Sequence, residues 1–275
     1  MVKDLLLIVE NSAHANPIIR AAVKMAERMA ADLTIEVLTP SPVLIPALAP
    51  LTTMYVPDWA MADDHTKRSK QISDMVAEST ATIRVVGLHD EIFALARRTG
   101  RAGPVADLIL IGGEDLWETQ WLRRHASETI VMGAGSPLLV LAQGDELPPV
   151  QNAVIGWKDS PEARRAVHDL VALATPDAKI TVVTVGGFAD EHRVAAESAG
   201  EVVRHLIRHG LRADWEQIGS DELSDTQTLE AFALENDADL LAIGAFAHAR
   251  LREAVFGGVT HRLLDKARLP VLFSR

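Results

Sequence analysis

The chain of 275 residues contains no cysteine. Disulfides, thiolate metal sites, iron–sulfur clusters and cysteine nucleophiles are excluded at once. Positive charge is also scarce. Lys and Arg total 27 against 38 Asp and Glu, a formal net charge of −11. General nucleic-acid binding needs a strong positive field at phosphate, so no nucleic-acid partner is expected. A small local phosphate site remains compatible with this balance. There is no Gly-x-x-x-x-Gly-Lys-Ser/Thr and no Gly-x-Ser-x-Gly, so neither a P-loop nor a hydrolase elbow is expected.

Long uninterrupted apolar runs are missing too. Met1-Val2-Lys3-Asp4 is followed by Leu5 to Val9 and then by Glu10. A secretory signal needs ~7–15 apolar residues and a small-residue cleavage site. The stretch from Pro40 to Met61 is apolar, but it holds Pro40, Pro42, Pro46, Pro50 and Pro57. A membrane-spanning helix does not tolerate that density of proline. These features lead us to expect a soluble, cytoplasmic chain with no membrane partner. Its 48% hydrophobic content is ample for one or two cores.

What is present is a duplication. Val105-Ala106-Asp107-Leu108-Ile109-Leu110-Ile111-Gly112 parallels Asp237-Ala238-Asp239-Leu240-Leu241-Ala242-Ile243-Gly244, with an offset of 132. Each reads as a buried strand ending in a glycine turn. Leu6 to Ser12 parallels Val154 to Ser160, with an offset of 148. The ends match as well: Ser136-Pro137-Leu138-Leu139-Val140-Leu141 against Leu269-Pro270-Val271-Leu272-Phe273. The offset falls by 16 between start and late strand, so the first copy carries about that many extra residues. The proline-rich stretch, about residues 40–66, is their natural place. The expected units are 1–145 and 151–275, joined through Gly144, Pro148 and Pro149.

The second copy reads as β-α-β-α-β-α-β-α-β. Ala153 to Trp157 is a short strand. Ser160-Pro161-Glu162 supplies an N-cap, a proline at the first helical position and an early acid. Strands follow at Lys179–Val185, Arg212–Ile218, Leu240–Ile243 and Val271–Phe273. Helices are expected at Glu191–His209, Thr226–Glu235 and Val259–Lys266. This alternation implies a parallel sheet with helices on both faces. The fold class is therefore α/β, as two tandem five-stranded domains. Ligands on such sheets bind beyond the carboxyl ends of strands, where strand order reverses.

The loop from Gly244 to Thr260 carries the most chemistry. Gly257 and Gly258 permit close backbone approach to an anion. Free amides of Gly258, Val259 and Thr260 would face it, with the positive helix end behind them. The basic residues Arg250, Arg252, Arg262 and Lys266 outnumber Glu253 and Asp265 there. The plainer reading is a turn that needs glycine, flanked by solvated arginines.

The two-copy arrangement and this loop resemble tandem universal stress proteins. The family pattern is Gly-x2-Gly-x9-Gly-Ser/Thr, and here it reads Gly244-x2-Ala247-x9-Gly257-Gly258. Trp157-Lys158-Asp159-Ser160-Pro161-Glu162-Ala163 is similar to a bacterial subgroup of that family. The resemblance implies flavodoxin-like, adenine-nucleotide-binding domains packed as a pseudo-dimer, with their last strands, Leu138 to Leu141 and Val271 to Phe273, near the interdomain interface. It implies a homodimer of the whole chain, and ATP or another adenine nucleotide as cofactor. The site residues it implies are Lys158, Val185, Gly244, Ala247, Gly257, Gly258, Val259 and Thr260, with Val185 offering backbone groups to adenine. Three departures weaken the site: Ala247 for glycine, Gly258 for Ser/Thr, and Lys158 for an aspartate that contacts the nucleoside. A lysine only donates hydrogen bonds, so it suits phosphate better than ribose.

In the first copy Asp115 replaces the second glycine, and His125 and Ala126 replace the later pair. Glu10 ends the first strand, and Glu114, Asp115 and Glu118 would repel a triphosphate. This half is expected not to bind nucleotide. His205 and His209 have a zinc-compatible spacing but no accompanying Glu motif; they suit a helix C-terminus. The expected action is a stress-response switch or interaction with an unknown protein partner, without enzymatic turnover. Alternatives are a scaffold that has lost its nucleotide and a slow ATPase.

Overall fold

A computed structural model describes residues 2–41, 58–99, 105–144, 146–186, 189–219, 224–245 and 258–275. Side chains are described within these ranges except at 58–66, 189–194 and 258–261. The first half comprises β1 (Asp4–Glu10), α1 (Asn16–Met29), β2 (Asp32–Ser41), α2 (Asp58–Val76), β3 (Ile83–Glu91), α3 (Ile92–Thr99), β4 (Leu108–Gly112), α4 (Gln120–Gly133) and β5 (Leu138–Leu141). The second half repeats the pattern with β6 (Val150–Gly156), α5 (Pro161–Leu173), β7 (Ala174–Val185), α6 (Ala189–Arg208), β8 (Arg212–Ile218), α7 (Asp225–Glu235), β9 (Leu240–Gly244), α8 (Gly258–Lys266) and β10 (Val271–Ser274).

The strands form one sheet in the order β3-β2-β1-β4-β5-β10-β9-β6-β7-β8. Each half is parallel, and the two halves meet where β5 and β10 pair antiparallel, Leu139 opposite Leu272. The central strands are apolar throughout because both faces are covered. Leu5 to Val9, Leu108 to Ile111 and Leu240 to Ala242 are all buried. Right-handed crossovers put α5 and α6 on one face of the second half and α7 and α8 on the other. A single apolar core runs through both halves.

Local signals explain the helix starts. Ser160 is extended, and its hydroxyl accepts from the Ala163 N–H at 3.1 Å, with Pro161 in the first turn. Ser224 caps α7 in a capping box with Gln227.

Three local expectations are revised. β7 begins at Ala174 rather than Lys179: Pro176 disfavours helix at the residue before it, and Val150 pairs with Ala174 before the register shifts. The proline-rich stretch is narrower than 40–66, since β2 extends to Ser41 and α2 begins at Asp58. Residues 42–57 lie outside the described residues. In the first half, α4 begins at Gln120 and is 14 residues long, against 9 for α8. His125 and Ala126, aligned with the glycine pair, sit inside this helix rather than in a loop.

Candidate functional site

In the second half β6 lies between β9 and β7, and the chain reverses its direction of travel across the sheet at β6. That is the switch point where a crevice opens beyond the carboxyl ends of the strands. Lys158 follows β6, Val185 ends β7, Gly244 ends β9, and α8 starts at Gly258. Ala247 and Gly257 lie outside the described residues.

Val185 is placed by strand alternation. The Trp157 N–H donates to the Val183 carbonyl at 2.7 Å, the last bond from β6 onto β7. Gly186 points the other way, donating to the Ile218 carbonyl at 2.9 Å. Val185 therefore directs its N–H and C=O to the β6 side, beyond the end of the β6 ladder. Gln217 holds the turn that follows by donating to the Gly186 carbonyl at 2.6 Å.

Gly244 has a packing reason of its own. A Cβ there would lie 2.5 Å from the Ala163 nitrogen and 2.7 Å from the Glu162 carbonyl carbon. The first turn of α5 rests directly on the end of β9, so no larger residue fits. Lys158 is exposed and has no ion pair among the described residues. Its neighbour Asp159 is taken by Arg164. Gly258, Val259 and Thr260 form the first turn of α8, so their amides lack intrahelical acceptors and carry the positive end of the helix dipole.

Two of the basic residues near the loop are turned to other work. Arg262 lies 3.6 Å from Glu230, a carboxylate 1% exposed that also accepts from the Arg268 N–H at 2.9 Å. Lys266 reaches across to Glu114 of the first half, at 3.7 Å. They tie elements together and do not form a free basic face.

The first half handles the same place differently. Glu10, aligned with Lys158, is 3% exposed. Its carboxylate accepts from the Glu118 N–H at 2.7 Å and the Thr119 N–H at 2.8 Å, and also from the Thr119 hydroxyl. The helix start that would meet an external anion is thus met by an internal one. Ser12 donates to Glu118 at 2.8 Å, and buried Arg68 from α2 donates to the Ser12 carbonyl and to Asn16 Oδ1. The sequence signals this only as a charge reversal, Glu10 against Lys158; the partner on α4 becomes visible in the fold.

Between the halves, Arg123 is wholly buried. Its guanidinium donates to the Gly112 carbonyl at 2.9 Å, to Asp265 at 2.6 Å and to the Leu264 carbonyl. Burial lowers its pKa, and Asp265 and Glu114 oppose that shift. One side chain therefore joins the end of β4 to the last turn of α8.

His205 and His209 do face each other, with ring centroids 4.5 Å apart, and His168 from α5 stands 5.2 Å from His205. Among the described residues no group of three His, Asp or Glu side chains is placed to hold a metal ion. Nor is any described helix long and apolar enough to cross a membrane.

These features define a class: a doubled α/β protein with a parallel five-stranded unit on each side of an antiparallel joint. Residues 149–275 match the model of the universal stress protein family. A curated relative, a universal stress protein of Synechocystis, is 25% identical over 173 residues, 62% of this chain. The chain spans 58% of that relative. A universal stress protein from Archaeoglobus fulgidus superposes with a TM-score of 0.64 at 11% identity, covering 98% of this chain and 96% of its own. A putative universal stress protein from Pseudomonas aeruginosa gives 0.61 at 14% identity, covering 99% and 93%. The match to the universal stress protein family rests on the second half, and the whole-chain fold is that of these two structures.

Proposed function

We propose that this chain is a nucleotide-responsive interaction protein with one adenine-nucleotide site, at the β6–β7–β9 edge of the second half. The observation that carries the reading is Val185. Its backbone N–H and C=O face the crevice with no strand opposite, a donor and an acceptor side by side for an adenine edge. The first-turn amides of α8 supply the anion end, and Lys158 adds a phosphate partner in place of a ribose acceptor. ATP or a related nucleotide is the ligand class. The chain works by conformational change and not by turnover, with bound nucleotide biasing a surface that a protein partner reads. It acts in the cytoplasm, as a homodimer.

The test is titration of purified protein with ATP, ADP and AMP, with and without magnesium. Gly257→Asp places a carboxylate at the α8 amides and is expected to abolish binding while the fold persists. Retained binding in that variant would put the ligand elsewhere. Lys158→Asp separates two roles: weaker binding identifies a phosphate contact, tighter binding a lost ribose contact.

A second reading, a scaffold with no nucleotide, is favoured by Glu10. One half has an internal carboxylate at the helix start, so ligand-free stability is built into the fold at least once.

A further inference from the structure

On the face of the second half, α5 packs over β9 and β10 and α6 over β7 and β8. The two helices leave a cleft of about 410 Å³ between them. Its walls are two facing stripes, Arg164, Val167 and His168 on α5 and Ser198 to Arg208 on α6. Trp157 closes one end, 6% exposed, with its Nε1–H donating to Ser198 Oγ at 3.1 Å. A buried indole, Val167 and Val202 give the cleft an apolar lining. The volume falls in the range of small-molecule sites.

The charges are unequal once pairs are removed. Asp159 is engaged by Arg164, and Glu201 by Arg204 at 2.6 Å. Arg208, which has no ion pair of its own among the described residues, lies one turn from His205. The Nε2 of His205 is buried with no hydrogen-bond partner. A histidine ring in the wall near a cation adds positive charge when it protonates, which suits an anionic oxygen.

We propose that the α5–α6 cleft is a second binding site, for a small amphipathic monoanion. The hydrocarbon body lies on Trp157, Val167 and Val202, and the carboxylate is held by Arg208 beside the His205 ring. The cleft lies between α5 and α6 and adjoins the proposed nucleotide crevice at Trp157 and Asp159, which flank Lys158. The charged and titratable groups around His205 are His168 and Arg164 from α5, Asp159 from the β6–α5 loop, and Glu201, Arg208 and His209, from α6 and the residue after it. Burial, and after it His209, His168 and Arg208, hold the His205 pKa below its ordinary value. A bound carboxylate reverses that, so the anion binds more tightly as pH falls.

The probe is octanoate, with 1-octanol as a neutral match, followed by calorimetry and by tryptophan fluorescence with Trp157→Phe as the reporter control. The full chain is expected to bind octanoate saturably and roughly tenfold more tightly than octanol. Affinity should rise severalfold from pH 8 to pH 6. Arg208→Gln should weaken binding about tenfold, and His205→Gln should flatten the pH dependence, with unchanged circular dichroism in both. No saturable binding, equal affinity for octanol, or an Arg208→Gln variant that binds as wild type would each overturn the proposal.

Discussion

Glu10 reaches from the end of β1 to the start of α4 and accepts hydrogen bonds from both the backbone N–H and the hydroxyl of Thr119. The two residues are 109 apart in sequence. The contact makes the first half self-contained: an anion from its own chain stands at the helix start. Lys158, aligned with Glu10, inverts the charge in the second half. The two halves share a fold and are chemically opposite at the one edge where such folds bind ligands.

Removing that carboxylate should be costly. Glu10→Ala removes the acceptor of the part-buried amides of Glu118 and Thr119 at the start of α4 and is expected to destabilise the chain by about 0.5–2 kcal/mol. Nucleotide affinity should not change, since the proposed site lies in the other half. Urea unfolding and a parallel ATP titration check both statements. A loss of ATP binding in folded Glu10→Ala protein would place nucleotide in the first half.

Arg123 is the buried link between halves, and its removal tests whether they unfold together. Arg123→Met leaves Asp265 and two carbonyls unpaired and is expected to cost about 3–5 kcal/mol. Asp265 keeps some contact with solvent, which favours the lower figure. Calorimetry should show one transition in the parent chain and a broadened or split one in the variant. A single unshifted transition would show that the β5–β10 joint alone couples the halves.

Gly244 separates packing from ligand binding. Gly244→Ala drives a Cβ against the α5 backbone, which cannot move as a side-chain tip can. A destabilisation of about 1–3 kcal/mol is expected, read as a lower urea midpoint in nucleotide-free protein. Unchanged stability with lost ATP binding would make Gly244 a ligand contact alone.

The histidine cluster predicts an acid-sensitive fold. The His205 pKa lies below its ordinary 6.5, chiefly through burial and then through His209, His168 and Arg208. A lowered pKa means the folded state prefers the neutral ring. The stabilising contribution is therefore complete above about pH 6.5 and declines as pH falls from there through the lowered folded value. Melting temperatures across pH 8 to 5.5 should fall more steeply in the parent chain than in His205→Gln. Parallel curves would show that His205 titrates normally in the fold.

Much of the architecture was legible because it rests on local patterns. The apolar runs at Leu5–Val9, Leu108–Ile111 and Leu240–Ile243 must be buried on both faces, and Ser160-Pro161 marks a helix start. That β5 and β10 lie near the interface came from family resemblance; their antiparallel pairing is visible only in the fold, since pairing partners leave no local mark in either strand. The candidate site was legible in part. Periodicity places Lys158 just after one strand and Val185 at the end of another, while their choice as site residues came from the resemblance. That Arg262 and Lys266 are tied to Glu230 and Glu114 was hidden, because both contacts join separate elements. The role of Glu10 was hidden for the same reason. A glutamate after a buried strand looks solvent-bound until the fold brings α4 over it.

The central claim is one nucleotide site per chain, in the second half. Isothermal titration of ATP into the full chain tests it most directly, with stoichiometry as the deciding quantity. One nucleotide per chain, lost in Gly257→Asp and kept in Glu10→Ala, is the predicted result. Two nucleotides per chain, or none up to millimolar ATP, would contradict it.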